Sequence, residues 1–280
     1  MTAKLSIITI NRNNAAGLEK TLQSVASQSF KEFEYIVVDG ASTDNSVEVI
    51  KSCEPNFAHL KWVSEPDTGI YNAMNKGIRM ASGEYIQILN SGDCLAAVDV
   101  TERMLEALDK TGSPSILYGN MVKCFPDGRR YVDNGYDGQE VTFLLFYLGT
   151  LNHDPTYIRR DLFGKYGYYD ESLKIVSDWK WFMEAIIQGG EKPEYVDINV
   201  TLFDMTGVSE SNSALVKEER EQVLRQTFPA TLLADYEHYA DPIERYQRLQ
   251  RHPWALKLTN IIERILFQKE KREDRKRNAI

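Results

Sequence analysis

The chain has 280 residues, 42% of them hydrophobic, and a formal net charge of −8 at pH 7. That is enough apolar material for one large domain or two small ones, and the negative balance excludes a non-specific nucleic-acid binder. Scattered Cys53, Cys94 and Cys124 exclude a disulfide framework, and His59, His153, His238 and His252 lack zinc-like spacing; the start shows no signal peptide, and no apolar run nears the ~20 residues of a membrane span.

KLSIITIN reads as a buried strand, and AAGLEKTLQSVASQ as a helix with Leu18, Leu22, Val25 and Ala26 on one face and Asn13 or Asn14 as its cap. FEYIVVDG is the second strand. The helix STDNSVEVIKSC follows, with Ser42, Thr43 or Asp44 as candidate caps and Val47 and Ile50 inward. LKWVSE is a weaker strand. GIYNAMNKGIRMA places Tyr71, Met74, Ile78 and Ala81 on one stripe. EYIQILNSGDCL is a strand that stops on Asp93, and DVTERMLEALDK closes the series through Val100, Met104, Leu105 and Leu108. Continuous apolar strands alternating with amphipathic helices predict an α/β fold with a mostly parallel central sheet flanked by helices.

Ligands of such sheets bind beyond the carboxyl ends of the strands. The first strand ends on Thr9, Asn11 and Arg12, the second on Asp39, Gly40, Ala41 and Ser42, the third near Glu65 to Gly69 with Asp67 among them, and the fourth on Asn90 to Asp93. Taken singly these are ordinary turn and cap residues; together they aim polar groups at one edge. The turn NRNNAAG is neither GxGxxG nor a P-loop, so phosphate must be handled otherwise. A divalent cation on Asp93, Mn²⁺ or Mg²⁺, borrowing oxygens from a diphosphate, meets that need.

Beyond residue 112 the pattern changes. SILYGNM is a strand, and CFPDGRRY a hairpin turning at Pro126, Asp127 and Gly128. Helical runs are too few for a second doubly wound unit, so this half reads as an appendage packed on the first sheet. SDWKWFMEAIIQGG is a helix capped by Ser177 and ended by Gly189 and Gly190. Trp179, Phe182, Met183 and Ile186 face inward, and Asp178 in the first turn suits the helix dipole. PEYVDINVTLF is a half-buried strand, and DMTGVSESNS a polar loop with the reach to close over a ligand.

Four stretches, SIITINRN, YIVVDGASTDNSVEVI, SEPDTGIYNAMNKGIRMASGEYIQILNSGD and HDPTYIRRDLFGKYGYYDESLKIVSDWKWF, resemble the family 2 glycosyltransferases of the GT-A fold, in the family's order from residue 5 to about 183. The resemblance implies a nucleotide-diphosphate sugar donor, a glycan or lipid-linked glycan acceptor, no nucleic acid, and metal-dependent inverting transfer. It places Thr9 and Asp39 at the base and ribose, Asn75 and Lys76 near the donor, Asp93 on the metal and Asp178 as the catalytic base. Asn11, Asp67 and Asn90 complete the expected nucleotide-sugar-binding set, and His153 and Trp179 are assigned to the acceptor or diphosphate. One departure stands out: an Asp-Ala-Asp-Asp-like element is reduced to Asn90, Ser91, Gly92 and Asp93.

The expected organisation is a catalytic domain over 1–212, with a nucleotide-binding half at 1–112 and an acceptor half at 113–212, then a helical C-terminal extension over 213–280. The extension's last helix carries Leu256, Ile261, Ile265 and Leu266, then a basic end diluted by Glu270, Glu273 and Asp274. Peripheral membrane contact and self-association are its two candidate roles. The predicted location is cytoplasmic, at the inner face of the plasma membrane if that helix docks there. The predicted work is bacterial surface polysaccharide or lipopolysaccharide-type glycan synthesis. A nucleotidyltransferase and a catalytically silent sugar-binding module are the alternatives.

Overall fold

The computed structural model describes residues 3–205, 212–250 and 252–277. Most of the DMTGVSESNS loop falls outside the described residues. The chain divides into two compact units, Met1–Gln226 and Thr227–Ile280.

In the first unit the sheet runs β3 (Leu60–Ser64), β2 (Glu34–Asp39), β1 (Leu5–Asn11), β4 (Tyr85–Ile88), β8 (Thr156–Arg159), β6 (Ile116–Cys124), β9 (Pro193–Asp204), β5 (Cys94–Leu95), with β7 (Arg130–Asp133) paired to β6. The expected parallel arrangement holds from β3 through β4. Beyond it the sheet is mixed: β8 runs antiparallel to both β4 and β6, β9 parallel to β6, and β5 antiparallel to β9. A parallel neighbour needs a crossover connection, whereas β8 is reached through the β6–β7 hairpin and the short α5 (Phe143–Leu148). Because β8 runs backwards, its amino end lies on the rim where β1, β2 and β4 end. His153 and Asp154 are thereby delivered to the same rim as Asp93.

α1 (Ala15–Ala26), α2 (Ser46–Cys53), α3 (Ile70–Met80) and α4 (Val100–Lys110) flank the sheet. Leu18, Leu22 and Val25 of α1 are buried against Leu5, Ile7, Tyr35 and Val37, and Met104 and Leu108 of α4 join that core. Each such side chain contributes ~1.5–3 kcal/mol of burial. The amide of Asn14 caps α1, its Oδ1 accepting from Gly17 N at 3.1 Å. The cap of α2 is spread: Asp44 accepts from Ser46 N and Oγ and, through its other oxygen, from Ala15 N. The hairpin turns as expected, with Gly128 at φ 84 and its N–H on Phe125 O.

α6 (Asp161–Tyr166) precedes α7 (Ser177–Met183), which continues as a π-helical turn over Glu184–Gln188. Ser177 does not cap α7. Buried Glu219 of α8 (Ser213–Thr227) instead anchors the segment leading into α7, accepting from the N–H groups of Lys174, Ile175 and Val176 at 2.6, 3.0 and 3.3 Å. The second unit consists of α9 (Ala230–Gln250) and α10 (Pro253–Arg277). On α10, Trp254, Leu258, Ile261, Ile265 and Leu266 are exposed, while Leu256 is half-buried. Among the described residues no helix is long and apolar enough to cross a membrane.

Candidate active site

The rim carries two connected clusters. The first lies at the ends of β1 and β2. Asn11 Nδ2 donates to Asp39 Oδ1 at 2.8 Å and to Ser42 Oγ at 3.3 Å. Asp39 also accepts from Ser42 N and from the hydroxyls of Ser42 and Ser64. Burial pushes the Asp39 carboxyl up, but these donors outweigh it and hold it below its ordinary value. Asn11 Oδ1 is buried without a partner, an acceptor waiting for a ligand donor. Asp67 closes the cluster, taking Gly69 N at 3.1 Å and facing Arg12 at 3.5 Å. Its approach explains Gly40, where a Cβ would fall 2.1 Å from Asp67 Oδ2.

Three residues expected at or near the donor make contacts within the protein. Thr9 lies one register step inside the rim, fully buried, its hydroxyl 3.0 Å from Tyr35 Oη. Asn75 is buried as a clasp on the segment before α7, bonding Tyr169 O, Tyr169 N and Glu171. Lys76 folds back on the loop after β3, reaching Pro66 O and Glu65.

The second cluster gathers Asp93, Asn90, His153, Asp154, Asp178 and Tyr71. Asp93, 4% exposed, accepts from Asp204 N at 2.9 Å. Burial and then the neighbouring Asp154 carboxylate push it well above its usual range. Asp154 is also raised, first by its own burial, and its Oδ1 has no hydrogen-bond partner. His153 Nδ1 meets Asp178 Oδ2 at 2.8 Å, and Nε2 lies 3.2 Å from the Asn90 amide and 3.6 Å from Asp154 Oδ1. Burial alone would depress the imidazolium; Asp154, Asp178 and Asp93 outweigh it and hold the group at about 9. A charged ring donates from both nitrogens, so Asn90 must turn its carbonyl oxygen to Nε2. That orientation also satisfies Asn90 Oδ1, which otherwise lacks a partner.

Asp178 has both oxygens engaged, Oδ2 with His153 and Oδ1 accepting from Tyr71 Oη at 2.8 Å. Burial pushes it up, but His153, Tyr71 and the Trp179 N–H outweigh burial and leave it below the ordinary carboxylate value. It is therefore an oriented, ionised carboxylate with part of its side chain open to the rim. Trp179 faces the other way, 1% exposed, with its indole N–H on Phe146 O at 2.9 Å. Tyr71 read in the sequence as one member of an apolar stripe. Its signal was chemical: a buried phenol needs a partner. Asp154 adjoined a candidate, and its role shows only in the fold.

For a divalent cation the donor chemistry fits. Asp93 and Asp154 offer hard carboxylate oxygens, one of them buried and unpartnered. Among the described residues no three His, Cys, Asp or Glu form a metal-holding group. The protein thus offers part of a shell, to be completed by substrate oxygens and water.

Residues 6–167 match the profile of Glycosyl transferase family 2. The chain belongs to this family. It is 34% identical to an uncharacterized glycosyltransferase of Mycobacterium tuberculosis over 209 residues, 73% of this chain and 76% of the relative. It is 27% identical to a PGL/p-HBAD biosynthesis glycosyltransferase of Mycobacterium bovis over 214 residues, 76% of this chain and 81% of that one. Among solved structures, S. aureus TarS 1-349 in complex with UDP-GlcNAc superposes with a TM-score of 0.62 at 19% identity, covering 81% of this chain and 68% of that one. The mannosyltransferase PcManGT from Pyrobaculum calidifontis, in complex with GDP-Man and Mn²⁺, gives 0.60 at 18% identity over 92% and 73%. These similarities show the GT-A fold, and the family makes the chain a transferase.

Proposed function

We propose that this family 2 glycosyltransferase moves a sugar from a nucleotide-diphosphate donor to a hydroxyl acceptor with inversion, in the synthesis of a surface polysaccharide or lipopolysaccharide-type glycan. The observation that carries the reading is Asp178, a carboxylate fixed by His153 and Tyr71 on the rim that also bears Asp93. Residues 1–112 would hold the donor. Asn11 Oδ1 and Asp39 suit the base and ribose, and residues 113–212 would present the acceptor.

In the reaction the acceptor hydroxyl oxygen attacks the anomeric carbon, and its proton passes to Asp178. The bond from that carbon to the diphosphate oxygen breaks, and its electron pair leaves with the nucleoside diphosphate. A positioned carboxylate is worth ~10²–10⁴ in rate. No protein nucleophile is needed, because a single displacement inverts the centre. His153 and Tyr71 keep Asp178 aimed, and Asn90 fixes the ring of His153. Mn²⁺ or Mg²⁺ held by Asp93 and the donor's own oxygens would supply Lewis-acid neutralisation of the diphosphate.

The test is a thermal-shift panel of UDP-, GDP- and dTDP-sugars with and without Mn²⁺, followed by turnover with the donor that stabilises most. A ligand that binds only the folded state raises the melting temperature by mass action. Donor binding without turnover across an acceptor panel would favour a silent sugar-binding module, for which the single-acid element is the motive.

A further inference from the structure

Glu219 and Arg220 are consecutive on α8, and the first fixes the second. Glu219 clamps α8 to the three residues that lead into the helix bearing Asp178. Arg220 then lays its guanidinium over the Trp179 ring, 5.0 Å from the centroid. Trp179 is itself locked through its bond to Phe146 O. The helix that bears Arg220 and the ring it covers are thus both held by bonds within the protein.

Arg220 Nε is buried without a hydrogen-bond partner, and among the described residues the guanidinium forms no ion pair. Burial weakens its hold on its proton, while Asp178 and Tyr136 pull in the opposite sense. Asp178 acts on it through charge without a hydrogen bond between them, its two oxygens accepting from Tyr71 and His153. Other cations around the rim are engaged: Arg12 with Asp67, Lys76 with Glu65, Lys180 with Asp170. A half-buried guanidinium with a buried, unpartnered Nε and no ion pair among the described residues gains from the arrival of an anion. A planar guanidinium stacked on an indole keeps its N–H edge open, the geometry that grips phosphate oxygens.

We propose that Arg220 is a substrate-binding residue that receives a phosphate oxyanion of the substrate beside Asp178. The inference rests on the proposed reading of the site. The phosphate has two sources of the same chemistry: the donor's diphosphate, or a phosphate borne by the acceptor.

Titration calorimetry of the full chain separates them. One arm uses UDP and GDP. The other uses inorganic phosphate added after saturation with the nucleoside diphosphate. Arg220→Gln is expected to weaken one arm about tenfold or more, and Arg220→Lys to weaken the same arm less, since charge remains and the fork is lost. Arg225→Gln, which only removes a surface pair with Glu221 on the same helix, is expected to change neither. Loss in the first arm assigns the donor, and loss in the second an anionic acceptor. If Arg220→Gln does not fold, Arg220→Lys decides. A folded Arg220 variant that binds in both arms like the parent overturns the inference and leaves the reading of the site intact. A parent chain that binds neither UDP nor GDP overturns that reading instead. The inference then stands only if inorganic phosphate alone binds in an Arg220-dependent way, and falls otherwise.

Discussion

Asp178→Asn tests the base, and its consequences are calculable. The substitution keeps the shape and removes the charge that Tyr71 and His153 share. An amide offers one acceptor where the carboxylate offered two oxygens. One of the two donors is therefore left unpaired, at ~1–3 kcal/mol of stability. The lift of His153 from 6.5 to about 9 corresponds to ~3 kcal/mol of extra attraction for the charged ring, shared among Asp154, Asp178 and Asp93. Deleting the share in direct contact with the ring is expected to lower its titration midpoint by about one pH unit or more, read from its Cε1–H resonance. Turnover, followed as release of nucleoside diphosphate, is expected to fall ~10²–10⁴-fold. Affinity for UDP or GDP is expected to hold, because the base lies away from Asn11 and Asp39. Normal turnover in a folded Asp178→Asn chain would refute the assignment. An unmoved His153 midpoint would refute the electrostatic coupling.

Glu34 carries the clearest pH signature of stability. Burial pushes it up, but Lys61, Ser6 and Ser82 outweigh burial and hold it at about 2 against 4.5. Its stabilisation, ~3 kcal/mol, is present above pH 4.5 and lost as pH falls through the interval down to about 2. Urea midpoints of parent and Glu34→Gln are thus expected to differ at pH 7 and to converge near pH 2, and a gap that does not narrow would count against this account. Glu219→Gln weakens the three N–H bonds that hold the segment leading into α7 and is expected to cost ~1–3 kcal/mol by chemical denaturation; an unchanged urea midpoint would count against it.

The readable part of the site was the part built from local sequence. Asn14 capping α1 and the polar turn after β4 that leads to Asp93 follow from short-range patterns, because a cap and a strand end depend on a few adjacent residues. His153 and Asp178 were each visible, but nothing in their spacing joins them. The antiparallel course of β8 does that, by turning its amino end onto the rim. Ser177 had the right residue type for a cap but is the first helical residue after Val176 and makes no cap bond, while Glu219 of another helix holds the segment before it through three N–H groups. Thr9 shares its strand with Asn11 but sits a row deeper, where Tyr35 claims its hydroxyl. Arg220 left no trace in its own neighbourhood, since its meaning depends on Trp179 and on the anion it lacks.

The depressed affinity of Asp178 for protons bears on how the base works. A strong base would need its pKa raised toward neutrality; here His153, Tyr71 and the Trp179 N–H drive it the other way. The hydroxyl it serves becomes acidic only as its oxygen bonds to the anomeric carbon, so a weak base in the right place suffices and orientation matters more than basicity. In the proposed reaction the proton is taken late, and the ionised carboxylate is ready throughout the neutral range. The rate is therefore expected to be flat from weakly acid to weakly alkaline pH. At high pH it should fall as His153 loses its proton near 9 and its bond to Asp178 loses its charge. Below the ordinary carboxylate range it should fall again as Asp178 protonates. In a His153→Gln chain, which keeps a donor but no titrating ring, the alkaline limb should disappear while the acid limb moves up in pH. An acid limb centred near neutrality in the parent would mean that some group other than Asp178 takes the proton.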